Sequence, residues 1–289
     1  MKTPDYNSPL ALKAFLDENG MAMQKKFGQN FLVNEQARKK IIDFLDVSEN
    51  TKVWEVGPGL GCMTSEILSR GAALTAFEID HGFARLVRQF FEDYSAKNKF
   101  SLVEGDVLKT WKKFYDENGG ADRFFGNLPY NVAATIIADT INEGVRFDKA
   151  VVTIQKEVAQ RMVAKEGTEN YSSFSVLCQW AYDVKNALDL AGGNFWPVPN
   201  VASRAVLMTK KEDFPRCENP EFFMKMIRQL FSSRRKTVRN NLLALAGAEK
   251  TDAALEKSGI KPSERAENLS VDALLTLSDC LNEMSGNSL

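Results

Sequence analysis

Between residues 52 and 154, short apolar, β-branched stretches alternate with stretches of helical spacing, and this alternation restricts the fold more than any other feature of the chain. Strands are predicted at Lys52–Val56, 73–79, 100–103, 123–125 and 150–154, with helices over 63–69, 82–94 and 132–142. In the 82–94 segment Phe83, Leu86, Val87 and Phe90 fall on one face. Strand and helix recurring at this interval build βαβ units, hence an α/β fold with a mostly parallel sheet and helices on both faces. The unbroken apolar run at 150–154 reads as a strand covered on both sides. Two further strands are expected at 184–190 and 205–209. Upstream, Ser8-Pro9 followed by Leu10, Leu12, Phe15 and Leu16 and ending near Gly20 has the form of a short capped helix. Beyond Lys211 strand patterns stop, and helical ones run over 220–245, 252–257 and 271–284, with Pro215 inside the connecting stretch. The expected organisation is an N-terminal helical extension (1–24), an α/β domain (25–211) and a small all-helical C-terminal domain (212–289).

Composition removes whole classes of chemistry. The 37 basic and 38 acidic side chains nearly cancel, which argues against a uniformly basic coat but not against one basic face. No apolar run is long enough to span a bilayer and the N-terminus has no signal-peptide pattern, so a cytoplasmic protein with no membrane partner is expected. His81 is the single histidine, so serine–histidine triads and histidine-rich metal sites are excluded. Cys62, Cys178, Cys217 and Cys280 are scattered, without the paired spacing of zinc or iron–sulfur ligands; no metal site is expected, and the cysteines read as reduced thiols.

The first strand runs into Glu55-Val56-Gly57-Pro58-Gly59-Leu60-Gly61 and then directly into a helix. Gly57 and Gly59 let backbone approach a ligand and present amides at a helix start. Glu78 closes the second strand, 21 residues beyond Gly57, where an acid can accept hydrogen bonds from both hydroxyls of a ribose. Asp106 follows the third strand and could receive the amine of an adenine. Together these residues describe a nucleoside pocket at the carboxyl edge of a parallel sheet. NAD-binding loops follow G-x-G-x-x-G; here the sixth position is Cys62, which favours S-adenosylmethionine.

The fourth strand leads into Asn127-Leu128-Pro129-Tyr130. An adenine amine is a poor nucleophile because its lone pair is delocalised into the ring. The Asn127 side-chain carbonyl and the Leu128 backbone carbonyl can accept its two hydrogens, draw the nitrogen towards tetrahedral geometry and free the lone pair for in-line attack on a methyl sulfonium. Pro129 would stiffen the turn, and Tyr130 offers a ring face to an extruded base. An ordinary Asn-x-Pro turn with an aromatic plug is the competing account of the same four residues.

At this point the chain resembles a known family. The segments VWEVGPGLGCMT (53–64), AFEID (76–80), Gly105-Asp106 and NLPY (127–130) match the class I, Rossmann-like methyltransferase motifs in order. KKFGQNFL (25–32), FWPVP (195–199), FSSRRKTVRNNL (231–242) and RAENL (265–269) narrow the resemblance to the KsgA-type adenine dimethyltransferases of small-subunit ribosomal RNA. The resemblance implies that Asn30 and Leu32 close over the cofactor, that Gly57 meets its methionine end, and that Asn127 bridges cofactor and target. It implies further that Tyr130 and Phe195 sandwich the target base, although a phenylalanine in a chain with 19 of them is often core. The implied reaction places two methyl groups on each of two adjacent adenosines in a hairpin loop near the RNA 3′ end, within an assembling 30S particle. A monomer is the simplest expectation. Cys62 stands where the family commonly has a smaller residue, and Ala202 where it often has an acid.

Lys225, Arg228, Arg234, Arg235, Lys236 and Arg239 lie in a stretch without any acid between Glu221 and Glu249. On a continuous helix Arg228, Arg235 and Arg239 share one face, with Ile227, Phe231, Val238 and Leu242 beside it. Such a face suits RNA phosphates, and Arg228, Arg234, Arg235, Lys236 and Arg239 are the candidate RNA contacts. The clusters Lys25-Lys26 and Arg38-Lys39-Lys40 read as ordinary solvated charge. Two rival functions share these motifs: methylation of large-subunit RNA, and a binding role in ribosome assembly in which catalysis is secondary.

Overall fold

The computed structural model describes residues 1–23 and 29–286. In chain order the strands are β1 (Phe31–Leu32), β2 (Lys52–Val56), β3 (Ala73–Glu78), β4 (Phe100–Glu104), β5 (Arg123–Asn127), β6 (Lys149–Gln155), β7 (Tyr182–Leu190), β8 (Phe195–Trp196) and β9 (Ser203–Lys210). Seven of them form one sheet in the order β4-β3-β2-β5-β6-β9-β7. β2 to β6 are mutually parallel where they pair, and β9 runs antiparallel to β6. The chain steps outward from β2 through β3 to β4, then returns to start again at β5 on the other side of β2. That reversal opens a crevice at the carboxyl ends of β2 and β5. β2 and β6 are buried along nearly their whole length, as parallel strands covered on both faces must be.

The helices are α1 (Pro9–Glu18), α2 (Glu35–Leu45), α3 (Cys62–Ser69), α4 (His81–Phe90), α5 (Glu92–Ala96), α6 (Val107–Asn118), α7 (Tyr130–Asn142), α8 (Lys156–Met162), α9 (Ser173–Ala181), α10 (Pro220–Leu230), α11 (Val238–Ser258) and α12 (Val271–Gly286). Ser8 caps α1 as expected, its side chain accepting from the Ala11 amide. The segment predicted as one helix over 82–94 breaks at Phe91, whose buried ring packs against Phe100 of β4. α2 was not predicted, because the run Arg38-Lys39-Lys40 hides the apolar face of Ile41, Ile42 and Leu45. Arg38 itself is not solvated: it is 3% exposed, donating from Nη1 to the Leu32 carbonyl at 2.9 Å and from Nη2 to Asn7 at 2.7 Å.

The chain divides into two compact units. The first comprises Met1–Thr140, Val145–Ala159 and Lys185–Thr209, and the second Ile141–Gly144, Gln160–Val184 and Lys210–Leu289. In the first, α1 joins the α/β core through Leu12 and Leu16, which pack with Phe31, Leu60, Phe83 and Leu86. The second holds more than the stretch beyond 211 that texture suggested. Trp180 on α9 packs at a tilt against Phe214 and Phe223 and donates to the Pro215 carbonyl at 2.6 Å, and Tyr171 donates to the Leu269 carbonyl at 3.1 Å. These long-range contacts hold residues 160–184 among the C-terminal helices.

The helix expected over 220–245 is two helices. α10 ends at Leu230, and α11 begins only at Val238, where the Thr237 side chain caps it by accepting from Asn240. No helix among the described residues is long and apolar enough to cross a membrane.

Candidate active site

A cleft of about 1060 Å³, its open mouth included, lies at the carboxyl ends of β2, β3, β4 and β5. Its lining includes Asn30, Leu32, Gly57, Gly59, Glu78, Asp106, Asn127, Leu128 and Pro129, so of the residues proposed from sequence for cofactor and catalysis whose side chains are described it gathers all but Phe195. Tyr130 opens α7, and its side chain lies outside the described part of the structure. Residues 25–28 of the KKFGQNFL segment, with Lys25 and Lys26, also lie outside it.

The glycine loop is bound to the neighbouring strand end rather than left free. Gly57 donates to the Phe77 carbonyl at 2.9 Å, and Gly59 donates to Glu78 Oε2 at 3.0 Å. The other oxygen of Glu78 accepts from the Asp80 amide at 2.9 Å. Gly59 has φ +57°, and a Cβ there would stand 2.8 Å from the Phe31 ring, so the position excludes any side chain on two counts. Glu78 is 4% exposed, and burial raises its carboxyl above the usual range against the opposing pull of those amides. Glu55, deeper under the loop, is pushed up to about 8 by burial and accepts from the Thr64 hydroxyl at 2.7 Å. Asp106 caps α6 by accepting from the Leu108 amide at 3.1 Å.

On the other side, the Asn127 amide is fixed at both ends. Nδ2 donates to the Asn30 carbonyl at 2.8 Å, and Oδ1 accepts from the Thr153 hydroxyl at 2.5 Å. The Leu128 amide donates to the Thr153 carbonyl at 3.3 Å, while the Leu128 side chain lies over Gly126, where a Cβ would come within 2.7 Å of it. Pro129 accepts from Val132 and Ala133 and so starts α7. Thr153 and Asn30 therefore complete this corner, and Thr153 was not anticipated. Its contact depends on the β5–β6 register, Asn127 opposite Thr153, which no local pattern announces.

Phe195 departs from expectation. β8 pairs antiparallel with β1, Leu32 opposite Phe195 and Phe31 opposite Trp196. Side chains alternate across such a ribbon, so Phe195 turns with Leu32 into the core, 3% exposed, beside Phe125, Val151 and Leu190. Trp196 turns the other way, half-buried and stacked on Phe31 at 6.2 Å. The ring expected to face a target base is a core ring.

The basic stretch also differs. With α10 and α11 separate, Arg228, Arg235 and Arg239 do not share a helical face. The acid-free stretch finds its acids elsewhere in the chain: Arg234 pairs with Glu267 at 2.9 Å and donates to the Glu169 carbonyl, and Arg239 grips Asp252 through two bonds of 2.6 and 2.8 Å. Arg228, Arg235 and Lys236 are exposed. His81 is solvent-exposed at the start of α4 beside Glu104. Among the described residues no cluster of His, Cys, Asp and Glu has the arrangement of a metal site.

The model of one family, ribosomal RNA adenine dimethylase, matches residues 20–283. The chain belongs to this family. A ribosomal RNA small subunit methyltransferase A of Treponema denticola is 46% identical over 288 residues, covering 98% of both chains. That of Treponema pallidum is 41% identical over 290 residues, covering 98% of this chain and all of the other, and that of Borreliella burgdorferi is 39% identical over 280 residues, covering 96% and 95%. Among solved structures, a dimethyladenosine transferase from Plasmodium falciparum superposes with a TM-score of 0.71 at 23% identity, covering 89% of this chain and 98% of that one. The 23S rRNA methyltransferase ErmE gives 0.63 at 21%, covering 87% and 99%. At those identities the two structures show the class I, Rossmann-like fold alone. The dimethylase is thus an S-adenosylmethionine-dependent methyltransferase of small-subunit ribosomal RNA adenine, and the large-subunit and assembly-factor readings are not favoured. The cleft fits such a donor: a loop with no side chain at Gly57 and Gly59, and carboxylates at the ends of β3 and β4.

Proposed function

We propose that the two sides of this cleft divide the reaction between them. S-adenosylmethionine, when bound, supplies an electrophilic sulfonium methyl. Gly57 and Gly59 approach its methionine end, Glu78 holds the ribose through lone pairs that the Gly59 and Asp80 amides leave over, and Asp106 meets the adenine. Asn30 and Leu32 form the wall that closes over the donor. Asn127 Oδ1 and the Leu128 carbonyl accept the two hydrogens of the target amine and leave its lone pair directed at the methyl group. Pro129 holds these carbonyls at the head of α7, and Tyr130 stacks on the extruded base. The observation that carries this reading is the Asn127 amide, fixed by Asn30 and Thr153 within the same cleft as the glycine loop.

The target is a pair of adjacent adenosines in a hairpin loop near the 3′ end of the small-subunit RNA, each dimethylated, within an assembling 30S particle. Loop bases cost less to extrude than paired ones. Arg228, Arg235 and Lys236 contact phosphates directly, with Arg234 and Arg239 contributing through their ion-paired guanidiniums. The enzyme works as a cytoplasmic monomer without a metal.

Labelled S-adenosylmethionine incubated with small subunits from an unmethylated strain, large subunits alongside, tests this assignment. Dimethyladenosine by mass in the small subunit alone is the expected product. Label in the large subunit, or monomethyladenosine as the end product, would overturn it.

A further inference from the structure

Asn127 can serve the target amine only if its oxygen, not its nitrogen, faces the reacting atom, and only if the amide plane is held still. The Asn30 carbonyl settles the first condition, because it can only accept and so draws Nδ2 to its own side. Oδ1 then faces Thr153, whose hydroxyl must be the donor in the 2.5 Å contact. The same residue accepts from the Leu128 amide through its backbone carbonyl. Thr153 is thus bonded to both residues whose carbonyls are proposed to meet the amine. It is 2% exposed and sits on β6 directly opposite Asn127, on a strand whose neighbouring residues are apolar and buried. Its β-branched side chain has few rotamers in a strand, so the hydroxyl is pre-aimed.

We infer that Thr153 is a positioning residue for methyl transfer: its hydroxyl holds Asn127 Oδ1 in place and leaves the second lone pair of that oxygen for the target amine. This rests on the assignment of Asn127 above. A carbonyl oxygen accepts two hydrogen bonds, so Thr153 and the amine do not compete. The residue touches neither donor nor base.

Thr153→Val keeps shape and the backbone carbonyl while deleting the hydroxyl; Thr153→Ser keeps the hydroxyl. Both would be compared with the parent and with Asn127→Ala in methyl transfer to unmethylated small subunits. Binding of S-adenosylhomocysteine and melting temperature would be measured on the same preparations. The expected result is a kcat about tenfold lower for Thr153→Val, with the KM for S-adenosylmethionine and the affinity for S-adenosylhomocysteine within about twofold of the parent, because a misplaced acceptor costs the transition state and not the donor. Thr153→Ser should recover most of the rate, and Thr153→Val should cost little more in an Asn127→Ala background. An unchanged kcat in Thr153→Val, or a serine variant as slow as the valine one, would overturn the inference. If Thr153→Val melts early, the serine rescue and the double mutant still decide. An Asn127→Ala enzyme with the parent's rate would instead remove the assignment of Asn127 itself, so the two failures are distinguishable.

Discussion

The glycine-loop side of the cleft and the Asn127 side are assembled over different lengths of chain. Gly59 and Glu78, which bond across the loop, are 19 residues apart, and Asp106 caps its own helix within two residues. Asn127 reaches Asn30 across 97 residues and Thr153 across 26, and Phe195 is placed by a two-residue ribbon with Phe31-Leu32. One side is written as contiguous motif, and the other is assembled by register. Damage to the first should therefore stay local, whereas damage to the second should spread into stability or into rate without touching donor binding.

The largest expected effect tests the position of Phe195. As a core ring beside Phe125 and Leu190, its loss in Phe195→Ala should lower stability by about 3–5 kcal/mol. A base-stacking ring would instead leave stability near the parent value and lower kcat or raise the KM for RNA. Denaturant unfolding read beside steady-state kinetics separates the two outcomes. Trp196→Ala, on the other face of the same ribbon, should cost less because that ring is half-buried.

Next comes Asn127→Ala, with a loss of about 10²–10³ in kcat, the range found when one pre-aimed polar partner of a transition state is removed. Calorimetric binding of S-adenosylhomocysteine should change little. Loss of that binding would mean that Asn127 belongs to the donor side and that the division drawn above fails.

These two cases mark where legibility ended. Strand β2, the turn glycines after it, and the positions of Glu78, Asp106 and Asn127 at or just beyond strand ends were readable because period and turn chemistry are local properties. Cap residues such as Ser8 were readable for the same reason. Thr153 was not, because a threonine inside an apolar strand looks like any β-branched filler until the strand beside it is known. The burial of Phe195 was not readable either, because its base-stacking role came from the resemblance, whereas the register that turns the ring inward with Leu32 is set by a two-residue ribbon that no local pattern announces. The basic stretch misled through the reverse fault: local absence of acids was taken as absence of partners, yet Glu267 lies 33 residues beyond Arg234, and the non-helical turn at Gly247 within α11 brings Asp252 to Arg239, 13 residues away.

A smaller effect concerns Glu55, beneath the loop. Burial pushes its carboxyl up to about 8, so the folded protein keeps a proton that the unfolded chain releases near pH 4.5. The stability from this group is fully present below the unfolded value and is lost as pH rises through the folded one. The melting temperature should fall between about pH 5 and pH 9, and Glu55→Gln should flatten that fall while keeping the contact with Thr64. Parallel curves for the two proteins would show that Glu55 is ionised in the folded state.

The smallest effect separates exposed from ion-paired arginines in the helical unit. Each phosphate contact removed lowers the salt slope of RNA binding by about one. Arg228→Ala should approach that value, since the side chain is exposed in the last turn of α10. Arg239→Ala should change the slope less, because two of its donors already engage Asp252, an acid held below its ordinary range chiefly by that hydrogen bond. The pair is exposed to solvent, so breaking it should change stability little. Equal slopes for the two variants would mean that the Arg239–Asp252 pair opens when RNA binds. In that event the exchange of a carboxylate for a phosphate becomes part of recognition, and Asp252→Ala should tighten binding at low salt.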